Sequence, residues 1–155
     1  MTDIAICMAT AGRKSVTAVS LYALSALVDL ECCTVYIRDG DDDPLWTDEA
    51  CAGALNVIAQ RANLQYRRGV MQGIGADRWE LMEEAIEGHE YVLVLDSDAV
   101  VPPDFLLHSR DNIKAAKKDW GFIGHFGIDV LQPNGEGFNE MIRCRGNERN
   151  THYAW

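Results

Sequence analysis

The sequence has no apolar run longer than a β-strand, which excludes a transmembrane helix of about 20 consecutive apolar residues. Its N-terminus, MTDIAICMAT, lacks the basic segment of a secretory signal peptide, and Asp3 stands where such a peptide is apolar. The five cysteines form no Cys-x-x-Cys pair, so zinc is not expected. We therefore predict a cytoplasmic protein with reduced thiols and no membrane span.

Basic residues are also scarce, with 14 Lys and Arg against 24 Asp and Glu and a net charge of −10. A field of that sign repels nucleic acids and anionic membranes, so direct nucleic-acid binding is not expected. A phosphate-bearing small ligand stays possible if nearby cations or a divalent metal compensate its charge. The glycine spacings of a P-loop and of a dinucleotide-binding fingerprint are both missing.

Strand and helix patterns alternate along the 155 residues. The predicted strands are 3–9, 33–39, 64–68, 91–95 and 120–126, and the predicted helices are 15–30, 47–62, 77–88 and 104–118. For the third helix, Asp77 and Glu80 have the spacing of a capping box, and Gly88 marks its end. The alternation predicts an α/β fold with a mostly parallel central sheet flanked by helices. Ligands bind such sheets beyond the carboxyl ends of the strands.

Two aspartates follow the strand in EYVLVLDSDAVVPPDFL, residues 90–106. We predict that Asp96 and Asp98 face one point just outside the sheet, because side chains at i and i+2 point the same way in an extended chain. Two converging carboxylates are hard oxygen ligands of the kind that Mg²⁺ and Mn²⁺ prefer. The segment therefore predicts a divalent-metal site, and the alternative is a solvated acidic turn.

Three other positions at predicted loops are candidates for nucleotide contacts. Asp39 ends the second strand and can accept hydrogen bonds from a base or ribose; the alternative is a flexible solvated loop. The start of the first helix offers backbone donors, with Arg13 nearby. Arg78 follows a glycine-containing loop and can reach a phosphate, although a surface arginine is an equal alternative. Asp41 to Asp43 are expected to be solvated.

The segments ICMATAGR, VYIRDGDDD and EYVLVLDSDAVVPPDFL together resemble the nucleotide-sugar half of GT-A fold glycosyltransferases, especially of the family 2 type. The resemblance implies a Rossmann-like GT-A fold and a nucleotide-diphosphate sugar as donor. It implies that Thr10, Arg13 and Asp39 hold the nucleoside. It further implies that Asp96 binds ribose or metal and that Asp98 binds the metal, Mn²⁺ or Mg²⁺.

The tail, GEGFNEMIRCRGNERN, is similar to the acceptor-side segment of that family. By that similarity Glu148 is the general base for the acceptor hydroxyl, and His152 is a candidate late metal ligand. The second acid of the family's pair is replaced by Arg149. The expected organisation is one domain of residues 1–155, with a nucleotide-sugar-binding half at 1–101 and a shortened acceptor-side half at 102–155.

The expected activity is metal-dependent transfer of a sugar to an unknown acceptor hydroxyl by a hexosyltransferase-type enzyme, with inversion. Two alternatives stay open: a nucleotide-sugar-binding module without transfer activity, and a sugar nucleotidyltransferase. The short acceptor side makes a homo-oligomer plausible.

Overall fold

The computed structural model describes residues 4–115, in which four strands and four helices alternate. The strands are β1 (Ile4–Thr10), β2 (Cys33–Asp39), β3 (Asn63–Arg68) and β4 (Tyr91–Asp96). The helices are α1 (Lys14–Ser25), α2 (Glu49–Arg61), α3 (Ile74–Gly88) and α4 (Phe105–Ala115), with 3-10 turns at Leu30–Cys32 and Leu45–Thr47. The four predicted strands in this range are confirmed to within one residue, and the predicted strand 120–126 lies outside it.

The four described strands form one parallel sheet in the order β3-β2-β1-β4. Ile4 of β1 is opposite Cys33 on one side and opposite Tyr91 on the other. The predicted α/β fold with a parallel sheet and flanking helices is therefore confirmed. The chain builds outward from β1 in one direction through β2 and β3, and then returns to place β4 on the other side. The crevice between the carboxyl ends of β1 and β4 is thus the topological switch point, where open α/β sheets bind ligands.

The sheet has two faces of different character. The larger apolar cluster lies on the face covered by α1 and α2; its fully buried members include Ile6, Met8, Leu21, Ile37 and Leu55. On the other face the small side chains of Ala5, Cys7 and Ala9 pack against Leu81 and Ala85 of α3. Because β1 is buried on both faces, its seven residues are all buried, as expected for a central parallel strand.

Helix α1 ends at Ser25, five residues before the predicted end at residue 30. Asp29 adopts a left-handed conformation, with φ of 62°, which a continuing helix does not permit. The guanidinium of Arg61, from α2, donates hydrogen bonds to the carbonyls of Ser25 (2.7 Å) and Leu27 (2.9 Å). These carbonyls therefore have partners without a further helical turn, while Leu27 is still fully buried.

Helix α3 begins at Ile74, three residues before the predicted capping box, so that prediction is wrong. Gly73, with φ of 117°, is the residue before the helix, and Asp77 lies inside the first turns. The Asp77 carboxylate nevertheless accepts hydrogen bonds from the backbone N–H groups of Gln72 and Gly73. The predicted end at Gly88 is confirmed.

Helix α4 begins at Phe105, one residue after its predicted start and two residues after the second of the prolines at 102 and 103. The N–H of Phe105 donates to the carbonyl of Pro102 at 3.0 Å, so the prolines belong to the preceding turn. Residues 4–114 belong to one compact unit. None of the helices between residues 4 and 115 is both long and apolar enough to cross a membrane.

Candidate functional site

Four of the predicted site residues meet as two ion pairs beyond the carboxyl ends of β1 and β4. The Arg13 guanidinium lies 3.1 Å from Asp98 Oδ2, and the Arg78 guanidinium pairs with Asp96 Oδ1. Arg13 comes from the start of α1, Arg78 from α3, and both aspartates from the end of β4. The structure therefore brings three segments that are separate in sequence together at the switch point of the sheet.

The local geometry of the two aspartates differs from the predicted one. Strand β4 ends at Asp96, and Ser97 and Asp98 form a turn in which the Ala99 N–H donates to the Asp96 carbonyl at 3.0 Å. The expectation of an extended i, i+2 pair is therefore wrong, because the backbone turns after Asp96. Both carboxylates are nonetheless accessible, with side chains 57% and 44% exposed.

Asp39 has a different setting from the one predicted, because it is fully buried. Its Oδ2 accepts hydrogen bonds from the Leu45 N–H at 2.8 Å and from the Tyr66 hydroxyl, and its Oδ1 accepts from the Asp41 N–H at 3.0 Å. Burial, reinforced by the Asp39 carboxylate, raises the pKa of Tyr66 above its usual value. Asp39 therefore holds the loop after β2 in place, and the alternative of a flexible solvated loop is wrong at this position; the predicted contact of Asp39 with a nucleoside stays a prediction.

Thr10 is also turned inward. Its hydroxyl forms a 2.9 Å hydrogen bond with the hydroxyl of Thr17 on α1, and its side chain is buried. Its carbonyl accepts the Gly40 N–H at 2.9 Å, which links the loops after β1 and β2. Thr10 therefore connects two of the loops at this edge, and its hydroxyl already has a partner inside the protein.

An open cleft of about 620 Å³ has Arg13, a member of the first ion pair, in its lining. It is lined by residues 12–16 at the start of α1 and by Asp41, Asp42 and Asp43 of the β2 loop. Gly12, with φ of 76°, donates its N–H to Asp41 Oδ1, so the two walls touch each other. The helix start supplies hydrogen-bond donors and the acidic wall supplies acceptors. Such a cleft suits a group that carries both, such as the amide edge of a nucleobase.

One charged cluster was missed by the sequence predictions. Arg38, on β2, pairs with the buried Asp77 at 2.6 Å and with Glu80 at 2.9 Å. The one sign of this cluster in the sequence was Arg38 itself, a charged residue that follows five uncharged residues in the strand CTVYIRD and directly precedes Asp39. Since side chains alternate along a strand, Arg38 faces α3 whereas Asp39 faces the opposite side.

Cys7 and Cys51 are poor candidates for nucleophilic catalysis. Burial raises the pKa of Cys7 to about 12, and the nearby Glu84 adds to the shift. Burial also raises the pKa of Cys51 to about 11. Neither is disulfide-bonded, and a thiol of such pKa is protonated at neutral pH. The predicted burial of these two thiols is confirmed.

Asp96 and Asp98 are the predicted metal ligands within residues 4–115, and no group of three or more His, Cys, Asp or Glu residues that could hold a metal ion is found in this part of the chain. Two accessible carboxylates fit Mg²⁺ or Mn²⁺, because these ions commonly take one or two carboxylates and complete their coordination with waters and substrate phosphates. The predicted base, Glu148, and the predicted ligand, His152, lie outside the described residues.

The described fold is similar to that of S. aureus TarS, a GT-A-type glycosyltransferase. TarS residues 1–349 superpose with a TM-score of 0.59 at 18% identity over 74% of this chain, and the complex of that protein with UDP-GlcNAc gives 0.60 at 18%. The complex with UDP gives a TM-score of 0.57 at 19% identity. The chain spans about a third of the length of these solved chains.

No family model matches the sequence, and no curated protein matches it significantly. At such low identity the likeness establishes architecture, and the resemblance noted in the sequence agrees with it. The described part of this chain has the Rossmann-like fold of the GT-A-type glycosyltransferases.

Proposed function

We propose that this protein is a glycosyltransferase that binds a nucleotide-diphosphate sugar at the switch point between β1 and β4 and transfers the sugar to an acceptor hydroxyl. The observation that carries the proposal is the meeting of Asp96, Asp98, Arg13 and Arg78 at the position where this sheet type binds ligands. The similarity of the fold to that of TarS supports the proposal, since TarS has been crystallised with UDP-GlcNAc and with UDP.

The nucleoside is proposed to occupy the open cleft between the α1 start and Asp41 to Asp43. The diphosphate then lies over the β1 and β4 ends, within reach of Arg13 and Arg78. Guanidinium groups donate bidentate hydrogen bonds to phosphate oxygens. They therefore orient the leaving diphosphate and also compensate its negative charge. Asp39 contributes indirectly, because it fixes the loop that carries Asp41.

Asp96 and Asp98 are proposed to hold Mn²⁺ or Mg²⁺, which when bound would neutralise charge that develops on the departing diphosphate. In the structure each aspartate is paired with an arginine. Donor binding therefore requires an exchange of partners, in which the carboxylates turn to the cation and the arginines turn to the phosphates. Neither ligand alone offers a partner to all four side chains, so we expect cation and diphosphate to bind with positive coupling.

The acceptor side is proposed from the sequence resemblance. Glu148 would remove the proton of the attacking hydroxyl, and His152 would add a ligand to the cation. Attack on the face opposite the leaving diphosphate gives inversion of configuration at the sugar carbon.

Isothermal titration calorimetry tests the donor site directly, with UDP, GDP and UDP-GlcNAc titrated in the presence and absence of Mn²⁺. We expect a Mn²⁺-dependent heat for at least one nucleotide, which is lost in Asp98→Asn and Arg13→Gln. Asp111→Asn is the matched control, because Asp111 is an exposed acid on α4 with a surface partner, Lys114. If no nucleotide binds with Mn²⁺ present, the proposal is wrong.

A binding module without transfer is the second candidate, and the arginine at position 149 favours it. Donor hydrolysis or transfer measured by release of UDP separates the two. Turnover that disappears in Glu148→Gln, while UDP affinity is retained, excludes the second candidate. Tight binding of the donor without any release of UDP excludes the enzyme.

A further inference from the structure

Arg38 and Asp77 form an ion pair in the interior, on the sheet face that α3 covers. Arg38 Nε lies 2.6 Å from Asp77 Oδ1, and the side chains are 9% and 0% exposed. A second guanidinium nitrogen lies 2.9 Å from Glu80, nearly one helical turn further along α3. Removing two charges from water is costly, and apolar residues often stabilise such a site equally well. The pair is therefore a candidate for a role beyond stability.

The pair joins three segments at the carboxyl edge of the sheet. Arg38 is the last residue but one of β2, and its guanidinium packs on Gly69, where a Cβ atom would lie 3.1 Å from a terminal nitrogen. The Asp77 carboxylate accepts hydrogen bonds from the N–H groups of Gln72 (3.2 Å) and Gly73 (3.1 Å). These contacts fix the β3–α3 loop and the first turn of α3 relative to β2.

The next residue along α3 is Arg78, which pairs with Asp96 at the proposed donor site. We propose that the Arg38–Asp77 pair is a positioning device: it sets the depth and rotation of the first turns of α3, so that Arg78 reaches Asp96 and the donor diphosphate. Arg38 and Asp77 are buried and act through Arg78. The inference rests on the proposed function, because it concerns the same donor site.

The test removes the pair without leaving a buried charge unpaired. Arg38→Met together with Asp77→Asn keeps similar volumes, and the new amide oxygen still accepts a loop N–H. We expect the Kd for UDP, titrated with Mn²⁺, to rise about tenfold, the smaller end of the range for residues that orient a ligating group. In an Arg78→Ala background the same double substitution should change the Kd less than about twofold, because residues that act through one another are not additive.

A control variant separates positioning from general loss of stability. Ile58→Val lies in the core on the other face of the sheet and should leave the Kd for UDP unchanged. Glu80→Gln removes only the exposed member of the cluster, whose side chain is 51% exposed, and its effect on UDP binding should be smaller than that of the double substitution. A fall in affinity for Ile58→Val as large as for the double substitution would overturn the positioning role.

Amide hydrogen exchange of the ligand-free protein, followed by mass spectrometry, gives a readout that needs no donor. Amides of residues 72–78 should exchange faster in the double variant than in wild type, while those of α2 should not change. Unchanged exchange at 72–78, or fully additive effects on the Kd, refutes the inference. If wild type binds no UDP, the proposed function fails, and the exchange result alone decides whether the pair positions the segment that carries Arg78.

Discussion

Asp39→Asn tests whether this acid is a structural or a ligand-contacting residue. The buried carboxylate accepts three hydrogen bonds, from two backbone N–H groups and the Tyr66 hydroxyl. In the amide variant one acceptor oxygen becomes a donor that faces the Leu45 N–H. A hydrogen bond to a charged group contributes about 1.5–3 kcal/mol, and an unpaired buried donor costs about 1–3 kcal/mol. Since the Tyr66 hydroxyl can rotate to accept, we expect a net loss of about 2–4 kcal/mol in unfolding free energy.

Urea unfolding followed by circular dichroism measures this loss, with Asp42→Asn as the matched control in the same loop. Asp42 is exposed, so its substitution should change the unfolding free energy by less than about 0.5 kcal/mol. A direct base contact predicts the opposite pattern: unchanged stability and weakened nucleotide binding. If Asp39→Asn unfolds within about 0.5 kcal/mol of wild type, the buried network described here is wrong.

Three further outcomes follow from the structure. Because the pKa of Tyr66 is raised above its usual value of 10, the folded state keeps its proton longer, so stability should fall as pH rises past 10. In Tyr66→Phe the unfolding free energy should fall less steeply with pH above 10 than in wild type. Equal slopes in the two proteins would contradict the raised pKa. With pKa values of about 12 and about 11, Cys7 and Cys51 should react with a disulfide reagent at pH 8 only after urea unfolding, which mapped labelling would verify. Gly12→Ala should cost about 1 kcal/mol in urea unfolding, because φ is 76° there; an unchanged midpoint would argue against that conformation.

The strands could be predicted because buried parallel strands leave a plain trace in sequence. β1 is a central, fully buried strand and β4 is a partly buried strand at an edge of the described sheet; both are apolar runs bounded by polar loops, and each was predicted to within one residue. The ends of helices could not be predicted as well, since partners distant in sequence decide them. Arg61 supplies hydrogen bonds at the end of α1 from 36 residues away, and no local pattern shows that.

The candidate site was predictable in its location and not in its contacts. The sequence pattern of an acid at the end of a strand does not distinguish a buried carboxylate, such as that of Asp39, from an exposed one, such as that of Asp96. The alternation of side chains along a strand predicts that Arg38 and Asp39 lie on opposite faces of the sheet. Only the tertiary structure shows that Asp77 of α3 contacts Arg38 and that the loop after β2 folds over Asp39.

The sequence alone determined the alternating elements, the parallel sheet and the presence of acids where strands end, because these depend on local periodicity and composition. The tertiary structure decided which acidic and basic side chains form ion pairs. It paired Arg13 with Asp98 and Arg78 with Asp96 across 85 and 18 positions of sequence, respectively (98 − 13 and 96 − 78). Such pairings depend on how helices dock on the sheet, and docking depends on contacts between buried residues that are distant in sequence.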